Sequence, residues 1–239
     1  LSNNSPLRKY WSISLADENV QARLRMVITY LLAQIFAKKS FLLTLACSNS
    51  DEILVGYYTK YDASSGDINP IGSLPKIYVN KILEYYGHKM LKTSTNKSYN
   101  KTRVNNKSGN KTRVNVLLKT LYAQPTAELQ NLKEGKIAQS NEADIGLTYE
   151  QIEVIGNLRA QGMGMIEVYE KVKQNPLFMK NGNANYAREK VEKFYHRYSI
   201  NRNKATIVTP SVHLLPNPDD NRFDLRPFLY PPREIQKEI

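Results

Sequence analysis

The order of segments in the first fifty residues constrains the fold more than any other feature of the chain. The stretch "ADENVQARLRMVITYLLAQIFAKKS" (16–40) predicts a helix, with apolar residues at helical spacing, acids in its first turn and lysines in its last. "FLLTLACS" (41–48) follows without a spacer, an apolar run of strand length. "NSDEILVGYYTKY" then opens a second helix, whose start is written in Asn49, Ser50, Asp51 and Glu52. Helix, buried strand, helix is the rhythm of an α/β domain built on a parallel sheet. Such sheets bind ligands beyond the carboxyl ends of their strands. The expected site is therefore Cys47 to Glu52 and the loop that follows.

Downstream, "KIYVNKILEYYG" (76–87) predicts another helix. "LTYEQIEVIGNLRAQ", "MIEVYEKVKQ" and "NYAREKVEKFYHRYS" predict three more, the first two separated by "GMG". The final stretch, "TPSVHLLPNPDDNRFDLRPFLYPPREIQ", is rich in proline and reads as an extended tail. With 239 residues, 41% of them hydrophobic, the chain can enclose one sizeable core. Its single cysteine, Cys47, excludes a disulfide scaffold and fits a reducing compartment, so a cytoplasmic location is expected. No apolar run approaches the roughly 20 residues of a membrane-spanning helix, and no membrane association is expected. The opening "LSNNSPLRKYW" lacks both a signal-peptide core and an initiator Met; the expectation is a chain that begins inside a larger protein.

A net charge of +12 suggests a polyanion partner, but the charge is unevenly spread. From His88 to Thr120 there are seven Lys, two Arg and no acid, or +9, which leaves 12 − 9 = +3 for all the rest. That segment is rich in Asn, Ser and Thr and repeats "NKTRVN" at 100 and 110. It reads as a solvated insertion, with a polyanion-binding arm as the other reading. The expected organisation is thus 1–87 and 121–239 as two parts of one domain, separated by a basic insertion at 88–120. No nucleic-acid function is expected of the whole.

At the predicted site, Glu52 is a carboxylate just past a strand end, which suits Mg²⁺ shared with phosphates. An acid in a first helical turn more often serves the helix dipole. Lys60 and Lys76 flank "YDASSGDINPIGSLP", a turn with little to bury, where they suit phosphate oxygens or simply solvent. Arg23 and Arg25 stand in a mostly apolar helix and read as a solvent stripe. Residue pattern alone supports a phosphate-handling α/β site and specifies no reaction.

Four separated motifs, in order, carry a more specific resemblance. "NVQARLRM" (19–26), "DEILVGYYTKYDASSGDINPIGSLPK" (51–76), "QPTAEL" (124–129) and "PDDNRFDLRPFLYPP" (218–232) resemble the synthetase domain of NAD synthetases, the last motif resembling the glutamine-dependent, eukaryotic-type branch. The resemblance implies an ATP-pyrophosphatase fold, a doubly wound parallel sheet with helices on both faces. It implies ATP-dependent amidation of deamido-NAD (nicotinic acid adenine dinucleotide) to NAD through an adenylate, with Mg²⁺ as the metal. It further implies ammonia supplied from glutamine by an upstream nitrilase-like glutaminase domain, passed through a tunnel within a homo-oligomer.

Carried over residue by residue, the resemblance makes Glu52 the metal-binding glutamate. It assigns Cys47, Lys76 and Thr126 to ATP, and Asn19, Arg23, Tyr57, Lys60, Asp67 and Lys204 to deamido-NAD. "QPTAEL" resembles the start of a loop that closes over the active site. No protein nucleophile is implied, and no Ser/His/Asp or Cys/His array is needed. The sequence also departs from the family pattern. Cys47 stands where relatives carry Thr or Ser, and a thiol is a weaker donor. "NRNK" (201–204) replaces a pattern ending His-Lys, which puts Asn203 in doubt as a contact and leaves Lys204. The Gly-rich "SGGxDS" loop and the glutaminase domain are missing from the 239 residues. The expected whole is a larger enzyme of which this is the latter part, with the aromatic tail as an interface element. Two further readings stay open: another amidotransferase of the same fold, such as a GMP synthetase, or a non-catalytic basic binding module built on 88–120.

Overall fold

The computed structural model describes residues 13–38, 40–96, 117, 119–127, 129, 139–180, 183, 185–212 and 214. The tail motif at 218–232 and most of the basic segment lie outside these residues.

Helix α1 spans Ile13–Ala37. It starts earlier than the acids at 17 and 18 suggested, so its first turn holds no acid and its last no base. The chain leaves it through Lys38, in the left-handed region at φ 51°. Opposite faces of α1 meet different surroundings. Asn19, Ala22 and Arg25 share one face, i, i+3 and i+6, which lines a cleft. Leu24, Val27, Ile28, Leu31 and Ile35 share the other and are exposed.

The run "FLLTLACS" is extended, as its composition predicts, but it is not buried on both faces. Thr44, Ala46 and Ser48 are buried, while Phe41, Leu43 and Leu45 are exposed among the described residues. Parallel pairing is present and short. Leu45 bridges Ile68, and Asn69 bridges Ser211, both in parallel sense. The supporting bonds run from Asp67 N to Thr44 O (2.7 Å), Ala46 N to Ile68 O (2.9 Å) and Asn69 N to Pro210 O (2.9 Å). Three extended stretches, near 44–46, 67–69 and 209–212, thus lie side by side. Gly66 makes the first approach possible: a Cβ there would sit 2.7 Å from both Ala46 N and Thr44 O.

Helix α2, Ser50–Val55, begins where Asn49 to Glu52 predicted it. Asn49 caps it and Glu52 closes the capping box, its Oε2 accepting from Asn49 N at 3.2 Å. It ends at Gly56 (φ 64°), where any Cβ would lie 2.2 Å from Asn201 Cβ. Helix α3, Lys76–Asn96, continues past Gly87 into the basic segment, crossing the boundary drawn at 88. The remaining elements are α4 (Asn141–Ile145), α5 (Tyr149–Ala160), α6 (Met165–Val172) and α7 (Tyr186–Asn201), the last followed by a 3₁₀ turn at Arg202–Ile207.

The core lies among α2, α5, α6 and α7. Leu54, Val55, Ile152, Ile155, Val168, Val191 and Phe194 are at most 1% exposed, each contributing roughly 1.5–3 kcal/mol by leaving water. This cluster fixes α2 from below, and so fixes the side chains that α2 presents above it.

Candidate functional site

A cleft of about 880 Å³ opens beyond the carboxyl end of the 44–46 stretch, between α1, the start of α2, the 57–64 loop, the 125–129 segment and α7. It is the position expected for a ligand of an open α/β sheet. Asn19, Cys47, Glu52, Tyr57, Lys76, Thr126 and Lys204 all line it. Residues from five separate stretches of sequence therefore converge on one cavity.

Glu52 lines it from the first turn of α2. The capping box holds Oε2, while Oε1 accepts from Tyr149 Oη (3.0 Å) and Asn141 Nδ2 (3.3 Å). Burial pushes the Glu52 carboxyl up, against the opposing pull of the Asn49 N–H, the Tyr149 hydroxyl and Lys76. Among the described residues no group of three His, Cys, Asp or Glu could hold a metal by itself. Glu52, facing a cleft that can hold phosphates and with Lys76 beside it, nevertheless fits Mg²⁺, which takes one or two protein carboxylates and completes its shell with phosphates and water. The donor set suits the group.

Asp51, next to Glu52, faces the other way: its Oδ2 accepts from Lys76 N at 2.7 Å and is 1% exposed. That bond ties the start of α3 to α2 and sets Lys76 at the cleft wall. Cys47 is solvent-accessible within the cleft. Its surroundings push the thiol up, mainly through desolvation and then through Glu52 and Asp62, so it stays a protonated, weak donor.

Three carried-over residues do not line this cleft. Asp67 is committed to the fold, its Oδ2 accepting from Thr44 N (2.7 Å) and its Oδ1 from Tyr30 Oη (3.3 Å). Arg23 donates through Nε to Lys60 O at 3.0 Å, and the Lys60 ammonium lies 5.4 Å from the Tyr61 ring centroid. Lys204 lines the cleft but spends two donors on Gly56 O and Tyr58 O, each at 2.9 Å. Burial and the neighbouring Arg197 lower its pKa. Asn203, already in doubt from the sequence, is exposed.

Other cleft residues were not singled out in the sequence. Arg25, read there as solvent stripe, donates to Ala127 O (3.0 Å) and ties α1 to the "QPTAEL" segment. Gln139 accepts from Leu129 N (2.9 Å) and donates to Asp144 Oδ2 (2.9 Å), and Asn141 N donates to Pro125 O (3.0 Å). Lys193 and Arg197 of α7 add cationic wall, and His196 lines the cleft with them. Arg197 donates to the carbonyls of Ile145 and Asp144, which locks the end of α4 against α7. The sequence marked α7 only as an amphipathic helix.

A cleft beyond parallel extended stretches, lined by Glu52 and other carboxylates together with several lysines and arginines, has the placement of a ligand site in the α/β class. Comparison with known proteins makes the class specific. The family described as NAD synthase matches residues 5–207, and the chain belongs to that family. It is 38% identical over 223 residues to the glutamine-dependent NAD(+) synthetase of Rattus norvegicus, an alignment covering 91% of this chain and 27% of that protein. It is 39% identical over 228 residues to the protein of the same name from Saccharomyces cerevisiae, covering 92% of this chain and 28% of the relative. The chain thus spans little more than a quarter of the curated relatives it matches. Its fold is similar to that of a glutamine-dependent NAD(+) synthetase from Cytophaga hutchinsonii, with a TM-score of 0.55 at 21% identity over 92% of this chain and 30% of that one. The family match removes the reading as a GMP synthetase. No helix among the described residues is long and apolar enough to cross a membrane.

Proposed function

We propose that this chain is the synthetase part of an enzyme that converts deamido-NAD to NAD at the expense of ATP. The observation that carries the reading is the convergence of Glu52, Lys76, Thr126, Asn19 and Tyr57 on one cleft, within a chain of the NAD synthase family. In the first step a nicotinate carboxylate oxygen bonds to the α-phosphorus of ATP and pyrophosphate leaves. In the second, ammonia attacks the acyl carbon, AMP departs with the C–O electron pair, and the nitrogen loses a proton to solvent. Adenylation is what makes the carboxylate oxygen able to leave.

Glu52 would hold Mg²⁺ at the phosphates, and the metal when bound would neutralise charge growing on the departing pyrophosphate. Lys76 adds a second positive charge on the same wall. Tyr57 and Asn19 line the same cleft and suit the nicotinate ring and its riboside. Asn19 is oriented by the Thr59 hydroxyl, which donates to its Oδ1 at 2.7 Å. Arg23, Lys60 and Asp67 reach deamido-NAD in this reading only with their present partners rearranged. Cys47 and Thr126 would flank ATP.

The finer architecture proposed is a doubly wound parallel sheet with helices on both faces, to which the three paired stretches contribute. The segments 1–87 and 121–239 would form one domain around a basic insertion at 88–120. The exposed apolar face of α1 and the exposed residues of 41–45 support burial against further protein, either the rest of the sheet or a second subunit. The complete enzyme in this proposal is a cytoplasmic homo-oligomer whose nitrilase-like glutaminase domain delivers ammonia from glutamine.

The test is the full-length protein with ATP, Mg²⁺ and deamido-NAD, supplied with either glutamine or ammonium. NAD and stoichiometric AMP and pyrophosphate are expected. Turnover absent with both nitrogen sources, in a folded protein, would overturn the proposal.

A further inference from the structure

Glu52 is gripped by a closed ring of hydrogen bonds that the reaction itself does not require. Tyr149 Oη donates to Glu52 Oε1 at 3.0 Å. Asn141 Nδ2 lies 3.0 Å from the same Tyr149 oxygen and 3.3 Å from Glu52 Oε1. A carboxylate can only accept, so the amide must turn its nitrogen inward. The tyrosine then accepts from Asn141 and donates to Glu52.

The local structure holds this ring in place. Tyr149 is the first residue of α5, and the capping box of Thr148 with Gln151 fixes that helix end. The Tyr149 N–H donates to Glu142 Oε1 at 2.9 Å, binding α5 to α4. Tyr149 and Asn141 are both more than nine-tenths buried, so neither side chain has room to swing away. The hydroxyl therefore meets the carboxylate in a low-dielectric position, where such a bond is strong. The Asn141 Oδ1 left over is buried at the cleft wall with no protein partner. A buried orphan acceptor is costly, and it suits a donor that arrives with the ligand, such as a cation-bound water.

We infer that Tyr149 and Asn141 are positioning residues that fix the Glu52 carboxylate for the divalent cation accompanying ATP. This rests on the reading of Glu52 given above. The experiment compares full-length wild type with Tyr149→Phe, which keeps the ring in the core and removes only the hydroxyl, and with Asn141→Leu as a second variant. ATP affinity is measured calorimetrically with and without Mg²⁺, in the absence of deamido-NAD, together with the thermal midpoint and Mn²⁺ binding by paramagnetic resonance.

Loss of one charge-assisted bond is expected to reduce the Mg²⁺-dependent gain in ATP affinity about tenfold. Affinity for metal-free ATP should be unchanged. Metal dependence equal to wild type in both variants overturns the inference alone. A lowered thermal midpoint with both affinities reduced equally also overturns it, since that is a purely structural role. No metal-dependent ATP binding by wild type overturns the reading of Glu52 and the inference with it.

Discussion

Tyr57 and Asp144, 87 residues apart, are joined by a 2.7 Å hydrogen bond from the tyrosine hydroxyl to Asp144 Oδ2. The same oxygen accepts from Gln139 Nε2, whose own Oε1 holds Leu129 N. The loop after α2 is thereby wired to the described end of the "QPTAEL" segment across the cleft. Tyr57→Phe should cut this wire while keeping the aromatic wall. The expected cost is about 1 kcal/mol of stability, read from denaturant unfolding, with a several-fold rise in KM for deamido-NAD. An unchanged KM would show that the wire has no bearing on the substrate.

Glu52→Gln should leave the fold standing, because its one amide oxygen can still accept from Asn49 N while the Tyr149 hydroxyl turns to accept from the new amide nitrogen. It removes the charge that the phosphate-bound cation would need. Pyrophosphate release from ATP and deamido-NAD is expected to fall at least a hundredfold, on the order of 3 kcal/mol in the barrier. Near wild-type release would take the metal role away from this residue.

Gly56→Ala tests packing rather than chemistry. The left-handed φ of 64° costs an L residue about 1–2 kcal/mol, and the new methyl group collides with Asn201, whose Nδ2 also holds Val55 O at 3.1 Å. A loss of about 3 kcal/mol in unfolding free energy is expected, with strain and overpacking together. Urea denaturation measures it directly.

Lys204 makes stability depend on alkaline pH. Its folded pKa is lowered by burial and by Arg197. Between that value and its ordinary value the unfolded chain binds more protons than the folded one, so this group's contribution makes stability rise with pH through the window. Lys204→Met should abolish that rise and, by stranding the Gly56 and Tyr58 carbonyls, cost about 1–3 kcal/mol below it. Unfolding curves at several pH values from 8 to 10.5 separate the two effects.

The helices and the placement of the cleft were legible because their signals are local. Asn49 to Glu52 announced the start of α2, and the helical spacing of "LTYEQIEVIGNLRAQ" announced α5. The short pairings at 67–69 and 209–212 were not legible, since two or three residues carry no periodicity and Gly66 reveals its purpose only against the Thr44 backbone. The apolar run at 41–45 looked buried because hydrophobicity states a need for cover without naming what supplies it. Asp67 shows the same ambiguity for charge: one carboxylate can serve a ligand or a neighbouring strand. Tyr149 and Asn141 escaped notice because a tyrosine in a helical pattern reads as core, and only the fold brings its hydroxyl to Glu52.

The two faces of α1 have a thermodynamic consequence. One face carries Asn19 and Arg25 into the cleft, and the other presents Leu24, Val27, Ile28 and Leu31 to the outside. A single rigid rod joins them. If a surface that covers the outer face shifts α1 between two settings, a ligand that prefers one setting must strengthen that cover by the same factor that the cover strengthens the ligand. Occupancy of the cleft and attachment on the far side of the helix are then two readings of one equilibrium, and either can be used to measure the other.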